Sequence, residues 1–166
     1  MDADLLEELY RKHYTSVLLY CTCLCGDQHL AQDLVADAFV KAYLSLPNDV
    51  PSFRYWLLRV CRNLWIDHLR KRKWETSFKS LEHASSNCTP ESQYLQDEQK
   101  RFLWDCILQL QPLDRELVTL HYFSGIGLQE AAAILGKSYE STRQRMVRLR
   151  KILRQQMEEQ GYDRKL

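Results

Sequence analysis

The residues best suited to chemistry lie near the end of the chain, in a run of basic and amide side chains from Ser141 to Arg154, STRQRMVRLRKILR. Lys and Arg supply six of the last twelve residues of this run, although the chain of 166 residues carries a formal net charge of only +1. Such cations bind phosphate, and Arg and Gln also form paired hydrogen bonds with guanine and adenine edges in the major groove. The run therefore predicts contact with DNA.

This run belongs to a predicted helix-turn-helix. The short segment LQEAAAILG ends at Gly136, a residue type that suits the end of a helix, and a longer helix follows a few residues later. A merely solvated basic helix would not need such a turn before it. In the longer helix one face is predicted to pack inward: Thr142, Met146, Leu149 and Leu153. The opposite face and its flank carry the candidate DNA-binding residues: Arg143, Gln144, Val147, Arg148 and Lys151.

A second basic segment, FRYWLLRVCRNLWIDHLRKRK, spans residues 53–73. Its residues 54–73 hold seven bases and a single acid, Asp67, together with aromatic residues. Rings stack on unpaired bases while cations hold the backbone, so the segment predicts a surface for single-stranded DNA. The alternative is that Phe53, Trp56 and Trp65 belong to the core. The candidate residues on this segment are Phe53, Trp56, Arg59, Arg62, Asn63 and Arg70.

Charge is segregated along the rest of the chain. Residues 1–40 hold seven acids and two bases, and residues 75–98 hold five acids and one Lys. The alternation predicts a polyanionic ligand at the basic segments and a different partner at the acidic ones. No apolar run approaches the ~18–20 residues that span a bilayer, and the acidic N-terminus lacks the pattern of a secretory signal. We therefore expect the protein in the cytoplasm.

The elements that must position these residues are all helical. Apolar residues recur at helical spacing, and no alternating strand pattern is present. The sequence predicts an all-α fold, with two small helical domains joined by a flexible linker. Each predicted helix has a recognisable start or end: 5–20, 28–46 capped by Asp27, 53–73 after Ser52, a helix from the Thr89-Pro90-Glu91 signal to Leu110, 112–123, 128–136 and the long last helix. Pro47 and Pro51 predict a loop, and the polar stretch after residue 74 predicts the linker.

The cysteines are interpreted as small buried residues. Cys21, Cys23 and Cys25 alternate in the segment YCTCLCGD, but no CxxC pair exists anywhere in the sequence. Cys21, Cys25 and His29 could share a helix face only if the helix continued through Gly26 and Asp27, which indicate a break. A thiol-based redox or zinc sensor built on Cys21, Cys23 and Cys25 is kept as an alternative function.

In this order, the parts resemble a bacterial RNA polymerase sigma factor of the extracytoplasmic-function type over residues 5–157. The segment DLVADAFVKAY (33–43) is similar to the family's core-polymerase-binding segment. Residues 53–73 are similar to its promoter-melting and −10-reading segment, and the stretch from Leu113 to Leu153 is similar to its −35-reading domain. The start of the last helix departs from the family pattern at Tyr139 and Glu140, which leaves the promoter sequence open.

The resemblance implies a specificity subunit without catalytic activity or cofactor. Its domains would be 1–74 for core polymerase and the −10 element, 75–95 for the linker, and 96–160 for the −35 element. The implied partners are the clamp helices and flap of core RNA polymerase, promoter DNA and an anti-sigma factor, with no membrane insertion. The family's polymerase contacts carry over to Asp33, Leu34, Asp37 and Val40. Its −10 contacts carry over to the residue set of segment 53–73, and its −35 contacts to the set of the last helix.

One rival class is a helix-turn-helix repressor or activator that acts without core polymerase. Such a protein would bind its operator as a free dimer, with its N-terminal half serving as a sensor or dimerisation domain. It would have no need of the basic and aromatic segment 53–73, which therefore favours the sigma-factor hypothesis.

Overall fold

The computed structural model describes residues 2–46, 52–76 and 97–162. The chain divides into two compact units, Met1–Cys88 and Thr89–Leu166. Within the described residues the regular structure is entirely helical, which confirms the predicted all-α class. The domain limits proposed from the sequence, 1–74 and 96–160, stay a prediction. Apart from its first two residues, the predicted linker lies outside the described residues.

The first unit contains three described helices, α1 (Ala3–Cys25), α2 (Gln28–Ser45) and α3 (Phe53–Thr76), and each packs against the other two. Its core is drawn from all three: Val17, Tyr20 and Cys21 on α1, Ala31, Val35, Ala38, Phe39 and Ala42 on α2, and Leu57, Leu58 and Cys61 on α3. Because three of the six buried residues of α2 are alanines, its neighbours can approach its backbone closely at those positions. The outward face of α2 carries the remaining side chains of this helix.

Local signals define the junction between α1 and α2 and the start of α3, although α1 continues five residues beyond its predicted end at Tyr20. Gly26 adopts a φ of 66°, a left-handed conformation that glycine tolerates, and its N–H donates to the Thr22 carbonyl over 2.9 Å. Asp27 then caps α2, because its Oδ1 accepts a hydrogen bond from the Leu30 N–H over 2.8 Å. Ser52 does the same for α3, where its Oγ accepts from the Tyr55 N–H over 3.4 Å. The predicted break between α1 and α2 is confirmed.

The second unit contains four described helices, α4 (Glu98–Leu108), α5 (Pro112–Val118), α6 (Leu128–Leu135) and α7 (Tyr139–Glu159). Helices α4, α5 and α6 all pack against α7, the longest of the four. Their apolar sides form one core beneath α7, and its members include Trp104, Ile107, Leu117, Leu120, Ile134, Met146, Leu149 and Leu153. The long helix is therefore supported along one side by the rest of its unit.

In the second unit, two predicted helices differ from the structure. The helix predicted from Thr89 to Leu110 is not continuous, because Asp97 has extended backbone and its carboxylate accepts the Gln99 N–H over 3.0 Å, so that α4 starts at Glu98. The predicted cap at Thr89 lies outside the described residues. The predicted helix 112–123 is α-helical only to Val118 and continues as a π-helical turn, Thr119–Phe123, in which the Ser124 N–H reaches the Thr119 carbonyl.

The turn between α6 and α7 confirms the predicted helix-turn-helix. Gly136 has a φ of 65°, its N–H donates to the Ala133 carbonyl, and the Lys137 N–H donates to the Ala132 carbonyl over 2.9 Å. These two bonds form a Schellman motif, which ends α6 and redirects the chain. Ser138 then starts α7, since its Oγ accepts the Ser141 N–H over 3.2 Å.

Candidate nucleic-acid and partner interfaces

The outward face of α7 is the first candidate surface. Arg143, Gln144, Val147, Arg148 and Lys151 are all exposed, and Val147 keeps 55% of its surface accessible. The opposite side is buried as predicted, with Met146 only 1% exposed. An α-helix supported from one side and carrying Arg, Gln and Lys on the other has the shape and donors needed to enter the major groove.

Side chains from α5 and its π-helical turn hold α7 in place. Arg145 forms an ion pair with Asp114 at the start of α5, and both side chains are partly buried. One turn and a half further along, Arg150 donates from Nε to the Tyr122 hydroxyl over 3.0 Å and contacts His121 Nε2 over 3.2 Å. The basic residues of the run therefore have two different roles. Arg145 and Arg150 bond the helix to the rest of its unit, whereas Arg148 is exposed on the outer face.

The structure adds a contact that the sequence interpretation missed at the start of α7. The Glu140 carboxylate accepts two hydrogen bonds from Arg143, over 3.1 Å from Nε and 2.8 Å from Nη2, and a third from Gln144 Nε2 over 3.0 Å. The hydrogen bonds from Arg143 and Gln144 hold the pKa of Glu140 below its usual value, so it is ionised at neutral pH. The signal was an acid placed three residues before an arginine and four before a glutamine on one helix.

The exposed side of α3 is the second candidate surface. Arg59, Asn63 and Arg70 are exposed, and Arg62 is half-buried. Arg70 lies 3.6 Å from Asp67 at an exposed position, where such a pair contributes little stability. Arg59, Asn63 and Arg70 are spaced by four and seven residues and so follow one side of the helix. This side can run along a nucleic-acid backbone.

The aromatic residues of α3 are divided between the core and the surface. Phe53 is half-buried and its ring packs against His13 and Phe39, with centroid separations of 5.5 and 6.2 Å. Trp56 is also half-buried and stacks on Phe53 at 6.3 Å. Neither ring is fully available for a base, so the alternative that these residues contribute to packing holds in part. The predicted loop 47–51 lies outside the described residues.

The acidic face of α2 is the third candidate surface. Asp33, Asp37 and Val40 are exposed as a contact role requires. Leu34 is only 4% exposed and belongs to the core of the first unit, so it adds no exposed side chain to this face, and its role in polymerase binding stays a prediction. Leu44, which the sequence interpretation did not select, is 73% exposed one turn beyond Val40 and extends the face with an apolar side chain.

The cysteines of the first unit contribute to its core. Cys21, Cys23 and Cys61 are buried as free thiols, and burial raises the pKa of Cys21 well above its usual value. A thiol that stays protonated is a poor nucleophile and a poor metal ligand. Within the described residues no group of three His, Cys, Asp or Glu side chains could hold a metal ion. This arrangement gives the redox or zinc sensor hypothesis no support.

The described helices include none that is long and apolar enough to cross a membrane. Two family models match the chain: sigma-70 region 2 over residues 9–75, and sigma-70 region 4 over residues 102–153. The two matches fall in different units and contain the three candidate surfaces. The match of region 4 ends within α7 at Leu153, which is the second-last buried residue of that helix.

Similar proteins carry the same description. The chain is 28% identical to the ECF RNA polymerase sigma factor SigM of Bacillus subtilis, covering 90% of this chain and 93% of that one. It is 30% identical to the ECF RNA polymerase sigma factor SigE of Mycolicibacterium smegmatis, covering 89% of this chain but only 60% of that longer one. Among solved structures, the sigma factor RpoE from Bartonella quintana, in complex with the anti-sigma factor NepR, aligns with a TM-score of 0.66. At 20% identity over 92% of this chain and 96% of that one, this likeness concerns the fold alone.

Proposed function

Because the chain belongs to the extracytoplasmic-function sigma factors of the sigma-70 family, which bind core RNA polymerase and direct promoter-specific transcription initiation, we propose a division of labour between its two units. The second unit reads the duplex −35 element through α7. The first unit binds the polymerase through α2 and the opened −10 element through α3. The proposed domains are residues 1–74 and 96–160, with 75–95 as the linker.

The observation that carries the −35 assignment is the arrangement of α7. Its inner side is buried against three other helices, and its outer side exposes Gln144, Arg148 and Lys151. Arg148 lies in the middle of that outer side and can bond guanine, whereas Lys151, almost one turn later, has the point charge suited to phosphate. Direct base reading is therefore assigned to Arg148, and sequence-independent anchoring to Lys151.

A transcription library tests this assignment. The upstream element is randomised, and transcription by the polymerase holoenzyme is compared for wild type, Arg148→Ala and Lys151→Ala. We expect Arg148→Ala to lose about 1–3 kcal/mol on the matched promoter and to relax preference at one position. Lys151→Ala should weaken all sequences alike and make the salt dependence shallower by about one unit of slope.

The control is Lys100→Ala, which removes one exposed positive charge from α4 of the same unit. It should change neither the preference nor the salt slope by a comparable amount. If Arg148→Ala lowered every promoter equally and left all positional preferences unchanged, the base-reading assignment would fail and α7 would be an electrostatic clamp.

The acidic face of α2 is assigned to the clamp helices of core polymerase, and the flap is assigned to the second unit. Asp33 and Asp37 offer charge, and Val40 and Leu44 offer exposed apolar surface, on one stripe of α2. Such a mixed stripe combines electrostatic steering with an apolar contact. The free helix-turn-helix regulator would require none of it, so co-purification with core polymerase distinguishes the two functions.

The exposed side of α3 is assigned to the separated strands of the −10 element, with Arg59, Arg62, Asn63 and Arg70 as the polar contacts. Phe53 and Trp56 are assigned to the edge of that surface, where a half-buried ring can still stack on a base that leaves the duplex. Holding both units on one polymerase makes the second DNA contact intramolecular, which raises the overall affinity beyond either contact alone.

Regulation by an anti-sigma factor is part of the proposal. Its support is that a solved structure of similar fold contains a sigma factor bound to an anti-sigma factor. The protein acts on DNA in the cytoplasm together with the polymerase, contributes specificity without catalysis of its own, and needs no cofactor or membrane insertion for the steps assigned here.

A further inference from the structure

Glu140 is an acidic residue on a helix that is proposed to approach DNA, which is a polyanion. The presence of a negative charge on this helix therefore requires an explanation. It lies in the first turn of α7, on the same exposed side as Arg143, Gln144 and Val147. The N-terminal turns of a recognition helix are the part that reaches base edges. A carboxylate there repels phosphates and by itself weakens binding to every sequence.

The geometry of the Arg143 pair leaves the reading edge of the guanidinium available. Glu140 receives Nε–H and one Nη2 hydrogen, over 3.1 and 2.8 Å, which together form one edge of the planar group. The remaining edge consists of Nη1 and the second Nη2 hydrogen. That edge provides the two parallel donors needed for guanine O6 and N7. Pairing with Glu140 therefore orients Arg143 and leaves its base-reading donors in place.

The same carboxylate fixes the amide of Gln144. A carboxylate only accepts, so the Gln144 nitrogen must face it, and the 3.0 Å contact is made by Nε2. The Gln144 carbonyl oxygen and the second Nε2 hydrogen remain, and these are the acceptor and donor that match adenine N6 and N7. One carboxylate thus orients two neighbouring side chains that both have long, flexible stems.

On these contacts, and resting on the proposed reading of the −35 element by α7, we propose that Glu140 is a specificity-determining positioning residue. It reduces the conformational freedom of Arg143 and Gln144 before DNA is bound, and so sharpens the choice of bases opposite them. The gain in discrimination comes with weaker binding to phosphates in general. Specificity and affinity should therefore change in opposite directions when Glu140 is replaced.

The experiment compares holoenzymes containing wild type, Glu140→Ala and Glu140→Gln on the randomised upstream library and in a promoter-retention assay across salt concentrations. Ordering one long side chain costs a factor of about two to ten in binding, so Glu140→Ala should reduce the preference opposite Arg143 and Gln144 by about that factor at each position. Retention of unrelated sequences should hold or rise. Glu140→Gln removes the same charge but keeps one acceptor oxygen, so its preferences should be intermediate.

The matched control is Glu159→Ala, which removes an exposed acid from the far end of the same helix. It should leave every positional preference unchanged. In a background of Arg143→Ala and Gln144→Ala, Glu140→Ala should have no further effect on preference, because the groups it orients are gone. Both results support the proposal.

Two other outcomes would overturn it. If Glu140→Ala and Glu140→Gln raised retention equally with preferences unchanged, the residue would act as a charge alone. If only a preference for cytosine at one position were lost, Glu140 would contact a base directly. Failure of the proposed function is distinguishable from both, because wild type itself would then show no upstream preference in the library, and the inference would fail with it.

Discussion

Met146 and Val147 are adjacent on α7, but we expect replacement of Met146 to change the stability of the second unit and replacement of Val147 to change the DNA preference. Met146 is 1% exposed and lies against the core of the second unit, whereas Val147 is 55% exposed on the outer face. Met146→Ala removes buried atoms and leaves a cavity, at a cost of about 2–5 kcal/mol. A unit of this size has a free energy of unfolding of about 3–10 kcal/mol, so the loss is a large fraction of the total.

Val147→Ala changes an exposed position, where substitutions cost less than about 0.5 kcal/mol, and alanine favours the helix more than valine does. Melting of the full chain, followed by circular dichroism and by hydrogen exchange in α7, separates the two variants. We expect Met146→Ala to lower the transition of the second unit by about 8 °C or more and Val147→Ala by less than about 4 °C.

The transcription readout should have the reverse order. At a temperature where both variants are folded, Met146→Ala should keep the positional preferences of wild type, because it makes no contact with DNA. Val147→Ala should lose preference at one position, since the exposed valine can contact a thymine methyl group. Equal melting shifts for the two variants would refute the assignment of inner and outer faces on α7, and with it the reading face itself.

Three further predictions concern the first unit. Asp37→Arg should weaken core polymerase binding in a competition assay at little cost in stability, whereas Glu8→Arg on α1 should not; equal affinities would remove α2 from the interface. Arg59→Ala combined with Asn63→Ala should reduce permanganate reactivity of unpaired thymines more than it reduces initial promoter binding; the reverse pattern would limit α3 to duplex phosphates. Burial, together with the positive charges of Arg54 and Lys12, lowers the pKa of His13 in the folded chain below 6.5. The neutral His13 side chain therefore contributes its full share of the free energy of unfolding above about pH 6.5, and this share declines as the pH falls toward the lower folded-state pKa. His13→Leu should abolish this decline in urea titrations at successive pH values, and an unchanged decline would assign it to another group.

The helix ends were predictable where a single residue type determines them. Asp27 and Ser138 cap their helices through one side-chain oxygen, and Gly26 and Gly136 adopt left-handed backbone that other residues avoid. These signals depend on chemistry within four residues of the chain. The inward face of α7 was likewise predictable, because a spacing of three and four residues places side chains on one side of any helix.

The differences arise where packing or several candidate signals compete. Asp97 and Thr89 are both good capping residues, and the sequence alone favoured the one followed by proline. Leu34 directly follows Asp33 and precedes Asp37 by three residues, but packing in the three-helix core determines which side of α2 it occupies. The π-helical turn after Val118 changes the hydrogen-bond register, although no proline or glycine lies within Thr119–Phe123 to indicate the change.

Because only three acids lie on α7, namely Glu140, Glu158 and Glu159, a chain of net charge +1 can still present a DNA-binding face there. A helix rises about 1.5 Å per residue, so Glu159 lies about 12 Å along the axis from Lys151, beyond the screening length of about 8 Å at physiological salt. Glu140 lies within about 5 Å of Arg143 along the axis and does reduce the field at the reading end. Glu140, whose charge would repel DNA most strongly, is thus also the acid that accepts hydrogen bonds from Arg143 and Gln144 and orients them. A helix selected only for affinity would gain from replacing it, so its presence there fits a helix in which discrimination between promoters matters more than the strength of binding.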